Sequence, residues 1–157
     1  MKPDIGSLAA EVSELVEPWE PTGIRAILIW GSTIDVFAGV IAPSDSHDID
    51  IMVICDNPAR IHAGDVGLHG MPVVEGRGAS GRYDCSLLDL GYVRQAVLAG
   101  RWTVVRAVRE GLVLRDDGTL ESLRASAPVI VPFENSTWED WAGQARKLLP
   151  KAAQLIE

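Results

Sequence analysis

Residues 24–55 read IRAILIWGSTIDVFAGVIAPSDSHDIDIMVIC, and the fold is decided within this stretch. Ile24–Trp30 is a nearly continuous apolar run of strand length stopped by a glycine, which predicts a buried strand. Gly31-Ser32 follows and opens a short helix to about Ala38, and a Gly/Pro/Ser loop then extends to Ser46. Asp48–Cys55 predicts a second strand, closed by the turn-like Asp56-Asn57-Pro58. Strand side chains alternate, so Asp48 and Asp50 point to one face, about 7 Å apart along the chain. Ile49, Ile51, Val53 and Cys55 take the other face.

Two ionised acids side by side on a sheet repel each other, and without a cation their pKa values rise. A hard divalent ion with oxygen ligands relieves this, and magnesium is the usual one where substrate phosphates complete the shell. Downstream, Arg82–Leu88 predicts another strand, with Tyr83, Cys85 and Leu87 on one face and Arg82, Asp84, Ser86 and Leu88 on the other. In suitable register Asp84 joins Asp48 and Asp50, and three convergent carboxylates can hold two metal ions. Asp-x-Asp by itself is common at exposed strand ends and turns. Gly31-Ser32 can bind an anion through its backbone and hydroxyl, but Ser32 can equally be a helix N-cap. No GxxxxGK[ST] loop occurs.

Outward from this stretch, Ile5, Leu8, Val12 and Leu15 behind Asp4 predict an amphipathic helix over 5–17. The glycine-rich residues 59–81 read as a mobile loop around one edge strand, Met71–Glu75. Residues 89–110 predict one or two helices broken at Gly100, with Asp89 as an N-cap. Gly111–Arg115 reads as a strand, Asp116-Asp117-Gly118 as a turn and 119–125 as a helical turn or two. Pro128 and Pro132 mark a linker. A last helix then aligns Trp138, Trp141, Ala145, Leu148, Ala152 and Leu155, kinked or divided at Pro150. The expected class is α+β, a small mixed β-sheet with helices packed on it. Residues 1–127 form one domain, and 128–157 form a helical appendage that packs on the sheet or on a second copy as a homodimer.

The 157 residues include 22 acidic and 14 basic side chains, a net charge of −8, which argues against general DNA binding. No apolar run approaches membrane-spanning length and the N-terminus lacks signal-peptide character. Cys55 and Cys85 form no CxxC pair and fall in apolar strands, so they read as inert core of a cytoplasmic protein. His47 precedes the acids and reads as a loop histidine or an orienting group. His62 and His69 read as surface residues.

The order of strand, Gly-Ser, short helix, loop, Asp-x-Asp strand and later single-acid strand resembles the DNA polymerase β-like nucleotidyltransferase superfamily. The pattern stands here as Trp30, Gly31-Ser32, fifteen residues, Asp48-Ile49-Asp50 and Ile51, and the resemblance covers about residues 24–125. EGLVLRDDGTLESL (Glu110–Leu123) is similar to the stretch that follows the third acid in small members. The spacer, with Asp35, Gly39 and His47, resembles that of the lincosamide and aminoglycoside 2″-nucleotidyltransferases, although those carry Gly-Gly-Trp where this chain has Gly31-Ser32-Thr33. The toxin-pairing minimal members have a shorter spacer. Residues 32–47 hold no Lys or Arg, so Arg77 and Arg82 are the substitutes for neutralising a triphosphate.

The resemblance implies transfer of an NMP from an NTP such as ATP to an acceptor hydroxyl, releasing pyrophosphate. Asp48, Asp50 and Asp84 would hold two magnesium ions, Asp84 would also deprotonate the acceptor, and Gly31, Ser32 and Arg82 would grip the nucleotide. The acceptor would be a small cationic molecule, a protein or an RNA. The alternative is a non-catalytic binding module on the same fold, for example an antitoxin-like partner protein.

Overall fold

The computed structural model describes residues 5–37, 48–58, 65–66 and 72–128. Helix α1 (Ile5–Val16) runs into a 3-10 helix (Glu17–Thr22), where Pro18 and Pro21 prevent α continuation. Then come β1 (Ile24–Ile29), α2 (Ser32–Phe37), β2 (Ile49–Cys55), β3 (Asp65–Val66), β4 (Pro72–Gly78) and β5 (Gly81–Asp89). Helices α3 (Leu90–Leu98) and α4 (Trp102–Glu110), strand β6 (Leu112–Asp116) and helix α5 (Thr119–Ser126) complete the described chain.

The strands form one sheet in the order β3-β4-β5-β2-β1-β6. Among the described strands only the β2–β5 pair is parallel, so the sheet is mixed, as the α+β reading expected. Helices cover both of its faces. On one, Leu8, Val12 and Val16 of α1 pack on Ile27, Ile29, Ile51, Val53, Cys85 and Leu87. On the other, α3, α4 and α5 bring Val93, Val97, Val104, Val108, Leu120 and Leu123 onto Leu28, Met52, Ile54 and Leu88. Burial on both faces is why the central strands read as continuous apolar runs rather than alternating ones. The expected break at Gly100 separates α3 from α4, and Gly100 takes a positive φ of 67°. Asp89 caps α3 by accepting from the Tyr92 amide at 2.9 Å. Both cysteines are buried, and burial pushes the Cys85 thiol up to about 12, in line with an inert core role.

In the glycine-rich stretch, residues 59–64 and 67–71 lie outside the described residues, and the edge strand expected at Met71–Glu75 is longer than expected. β4 runs to Gly78 and turns through Ala79-Ser80 into β5 as a hairpin. The glycines there serve close approach: a Cβ on Gly78 would lie 2.8 Å from the Tyr83 ring and would collide with the Glu11 carboxylate. Glu11 of α1 accepts from the Ser80 amide (3.1 Å), the Ser80 hydroxyl (2.7 Å) and the Tyr83 hydroxyl. These bonds hold the carboxyl down at about 2, with the Tyr83 bond contributing most.

Asp4, Gly39, His47, His62 and His69 lie outside the described residues. So does the helix expected to carry Trp138, Trp141, Ala145, Leu148, Ala152 and Leu155, with all of the 128–157 appendage except Pro128. Among the described residues no helix is long and apolar enough to cross a membrane.

The Glu11 cluster generates a stability prediction. A carboxyl whose folded pKa is depressed from 4.5 to about 2 stabilises the fold above pH 4.5, and that stabilisation is lost as the pH falls toward 2. Glu11→Gln is expected to cost about 1–2 kcal/mol at pH 7. The difference from wild type should shrink at pH 3, both read from urea unfolding midpoints.

Candidate functional site

The register between β2 and β5 builds the site. Ile49 pairs with Tyr83, Asp50 with Asp84 and Met52 with Ser86, so the two acids stand directly opposite each other on neighbouring strands. They share the face on which Met52, Ile54 and Leu88 pack under α3–α5, at the end where that core gives out. Asp48, the first residue of the expected strand, lies immediately before β2. Its carboxylate accepts from Arg82 Nη2 at 2.8 Å, an ion pair with both partners partly exposed. The Asp48 carbonyl accepts from the buried Thr33 hydroxyl at 3.3 Å, and the Trp30 amide donates to the Asp50 carbonyl at 3.0 Å. These two bonds fix the β1–α2 turn against the entry of β2.

Gly31 sits in that turn with φ of 68°. A Cβ there would lie 3.0 Å from the Asp50 carboxyl carbon and would collide with its Oδ2. Glycine at 31 is therefore demanded twice, by the left-handed backbone and by the acid seated against it. Burial raises the Asp50 carboxyl first, and the charges of Asp84 and Asp48 raise it further, to about 6. This is the upward shift expected of adjacent acids.

Of the sequence-predicted residues, the fold brings Asp50, Asp84 and Gly31 together, with Ser32 as the first residue of α2 beside them. Asp48 and Arg82 are brought to each other. Arg77 stands opposite Arg82 on β4. Among the described residues, no set of three or more His, Cys, Asp or Glu side chains is placed to hold an ion.

Sequence reasoning missed a cavity of about 190 Å³ that opens beside Gly31-Ser32 and is lined by Trp30, Trp102, Thr103 and Arg106. The Arg106 guanidinium lies 5.6 Å from the centre of the Trp102 ring. The available signal was Trp102 itself, a large aromatic at the exposed start of a helix just after the Gly100 break.

A solved structure matches this fold in part. The crystal structure of a nucleotidyltransferase-like protein from Exiguobacterium sibiricum 255-15 aligns with a TM-score of 0.53 at 13% sequence identity. The fold is nucleotidyltransferase-like. The match covers 75% of this chain and 37% of that protein, so the chain spans little more than a third of its length. No protein-family model matches the chain, and no curated protein sequence matches it. A relationship at this identity concerns the nucleotidyltransferase-like fold alone, and the chemistry has to be argued from the site.

On this nucleotidyltransferase-like fold the raised Asp50 carboxyl has a measurable consequence. Its folded value of about 6 exceeds the ordinary 3.8, so the folded chain holds the proton more tightly. Stability therefore declines as pH rises from about 4 to 6 and stays lower above that. Asp50→Asn removes the charge while keeping the shape. It is expected to stabilise the protein by on the order of 1–3 kcal/mol at pH 7.5. Near pH 4 the gain should be close to nothing, with thermal unfolding at the two pH values as the check. Gly31→Ala should destabilise by about 1–2 kcal/mol through the left-handed φ alone, with displacement of Asp50 adding to that.

Proposed function

We propose that this chain is a nucleotidyltransferase-fold binding module that takes a nucleotide at the Gly31-Ser32 turn and turns it over slowly or not at all. The observation that carries the reading is the Arg82–Asp48 ion pair. The cation proposed from the sequence to neutralise a triphosphate is engaged by one of the acids proposed to hold metal. That pairing takes one ligand out of the acid trio and moderates one cation of the phosphate site at once. The turn itself supports nucleotide binding: Gly31 has a left-handed backbone and Ser32 is the first residue of α2. Such a module would act through a partner, as an antitoxin-like protein does.

A second reading, NMP transfer from an NTP to an acceptor hydroxyl with release of pyrophosphate, is favoured by one specific observation. Asp50 and Asp84 are directly paired, and burial first, then the charges of Asp84 and Asp48, raise the Asp50 carboxyl to about 6. For transfer, Asp48 would have to leave Arg82 and join them.

Two measurements separate the readings. Calorimetric titration with each NTP should give binding that Ser32→Ala weakens by about 1–3 kcal/mol, the range for a hydrogen bond to a charged group. Gly31→Val should abolish it. Pyrophosphate release with each NTP and magnesium should stay at background across candidate acceptors. Sustained release that is lost in both Asp50→Ala and Asp84→Ala would establish the second reading instead. Absence of NTP binding in the wild type would overturn the module's proposed ligand.

A further inference from the structure

Four large apolar side chains are more than a third exposed among the described residues, and two of them, Ile5 at 45% and Val113 at 36%, line the same groove. Its volume is about 500 Å³. Helix α2 contributes Ile34 and Phe37 to it, and β6 contributes Leu112 beside Val113. β6 ends the sheet and pairs only with β1 among the described strands. An open strand edge carries unpaired backbone groups, and proteins commonly cover one with a helix or a loop.

Two charged side chains also border the groove, and both are engaged within the fold. Glu110 accepts from Arg106 Nε at 2.9 Å. Arg124 donates to the carbonyls of Val108 at 2.7 Å and Gly111 at 3.1 Å. What the groove offers an incoming group is therefore chiefly apolar surface, and its occupant has to bring apolar side chains.

The chain itself leads to this groove. α5 ends at Ser126, and the Ala127 carbonyl accepts from Arg109 Nη1 at 3.2 Å, which ties the outgoing backbone to the end of α4. Glu110, the residue after Arg109, and Arg124, one turn before the exit, both line the groove. Twenty-nine residues of the sequence follow Pro128. The first nine of them, 129–137, can span up to roughly 30 Å when extended, enough to set Trp138 anywhere along a groove of this size. Beyond them Trp138, Trp141, Ala145 and Leu148 recur at helical spacing, an apolar stripe that needs a surface to bury against. A segment tethered this close to its site meets it at an effective concentration in the millimolar range, which a second copy in dilute solution does not match.

We infer that the apolar stripe of residues 138–148 docks in the groove between α2 and the β6 edge of its own chain. There it covers Ile5 and Val113, closes the open side of β6 and rests on the helix that starts at Ser32. Each tryptophan so placed removes on the order of 150–250 Å² from water. The sequence leaves the sheet and a second copy as alternative partners for this stripe. Helices already lie on both faces of the sheet, and the exit of the chain beside the groove favours the same chain over a second one. The docking does not depend on a nucleotide at Gly31-Ser32.

The test uses the full chain with the photoreactive p-benzoylphenylalanine in place of Val113, prepared as an equal mixture of isotopically light and heavy protein and then irradiated. Mass spectrometry should find residue 113 joined to residues 138–148, with both peptides carrying the same isotope. Light–heavy products would place a second copy in the groove and overturn the inference. Cross-links confined to other residues, 38–47 included, or no cross-link at all would overturn it too. Thermal unfolding supplies an independent check. Val113→Asp and Trp141→Ser should each lower the melting temperature by about 3–8 °C. The double variant should lose less than the sum of the two, because both changes break the same contact. Val113 is exposed on an edge strand, so its variant is expected to keep the fold, with circular dichroism as the control. Strictly additive losses, or a Val113→Asp variant that melts like the wild type, would contradict the docking.

Discussion

The pairing of β2 with β5 is parallel in a sheet whose other pairs are antiparallel, and it sets Asp50 directly opposite Asp84. Parallel neighbours need a crossover, and here the chain travels through β3 and β4 before β5 returns beside β2. The rest of the site follows from that register. The face carrying the acids is the one on which α3, α4 and α5 pack, so Asp50 is drawn partly out of water at the edge of an apolar layer. Gly31 must then lack a side chain because the Asp50 carboxylate occupies the space where one would be. The β1–α2 turn is held there by the Thr33 and Trp30 hydrogen bonds to the backbone of residues 48 and 50.

Opposed acids at the rim of a core are a local conflict, and natural sequences keep such conflicts mainly where they serve a site. The fold moderates this one only in part. Arg82 reaches Asp48, while Asp50 keeps the charges of both other acids as neighbours. Elsewhere the charged groups are arranged for stability. Arg25 binds Asp56 and Asp117 across two turns, and Glu11 gathers three donors at the β4–β5 tip. The contrast between satisfied acids at the periphery and crowded acids at the mouth of β2 is what singles out the site.

Much of this was legible in the sequence because its signals are local. The apolar runs gave β1, β2 and β5, and alternation put Asp84 and Cys85 on opposite faces. The Gly100 break divided α3 from α4, and Asp89 capped the first of them. What was not legible depended on long-range approach. The glycines at 76 and 78 looked like loop residues because their reason, the closeness of α1 to the hairpin, lies some seventy positions away, as the 69-residue separation of Glu11 and Ser80 shows. Arg82 was readable as a cation on the acid face, but its choice of Asp48 depends on the β2–β5 register. Trp30 and Trp102 are 72 residues apart in sequence and line one cavity only in the folded chain.

The measurement that bears most directly on this account is a carboxyl-detected NMR titration of Asp50 in the wild type and in Asp84→Asn. The account predicts a wild-type value near 6 that falls when Asp84 is neutralised, yet stays above 3.8 because burial is the larger cause. A wild-type Asp50 that titrates near 3.8, or one that does not respond to Asp84→Asn, would contradict the opposed pair on which the site is built.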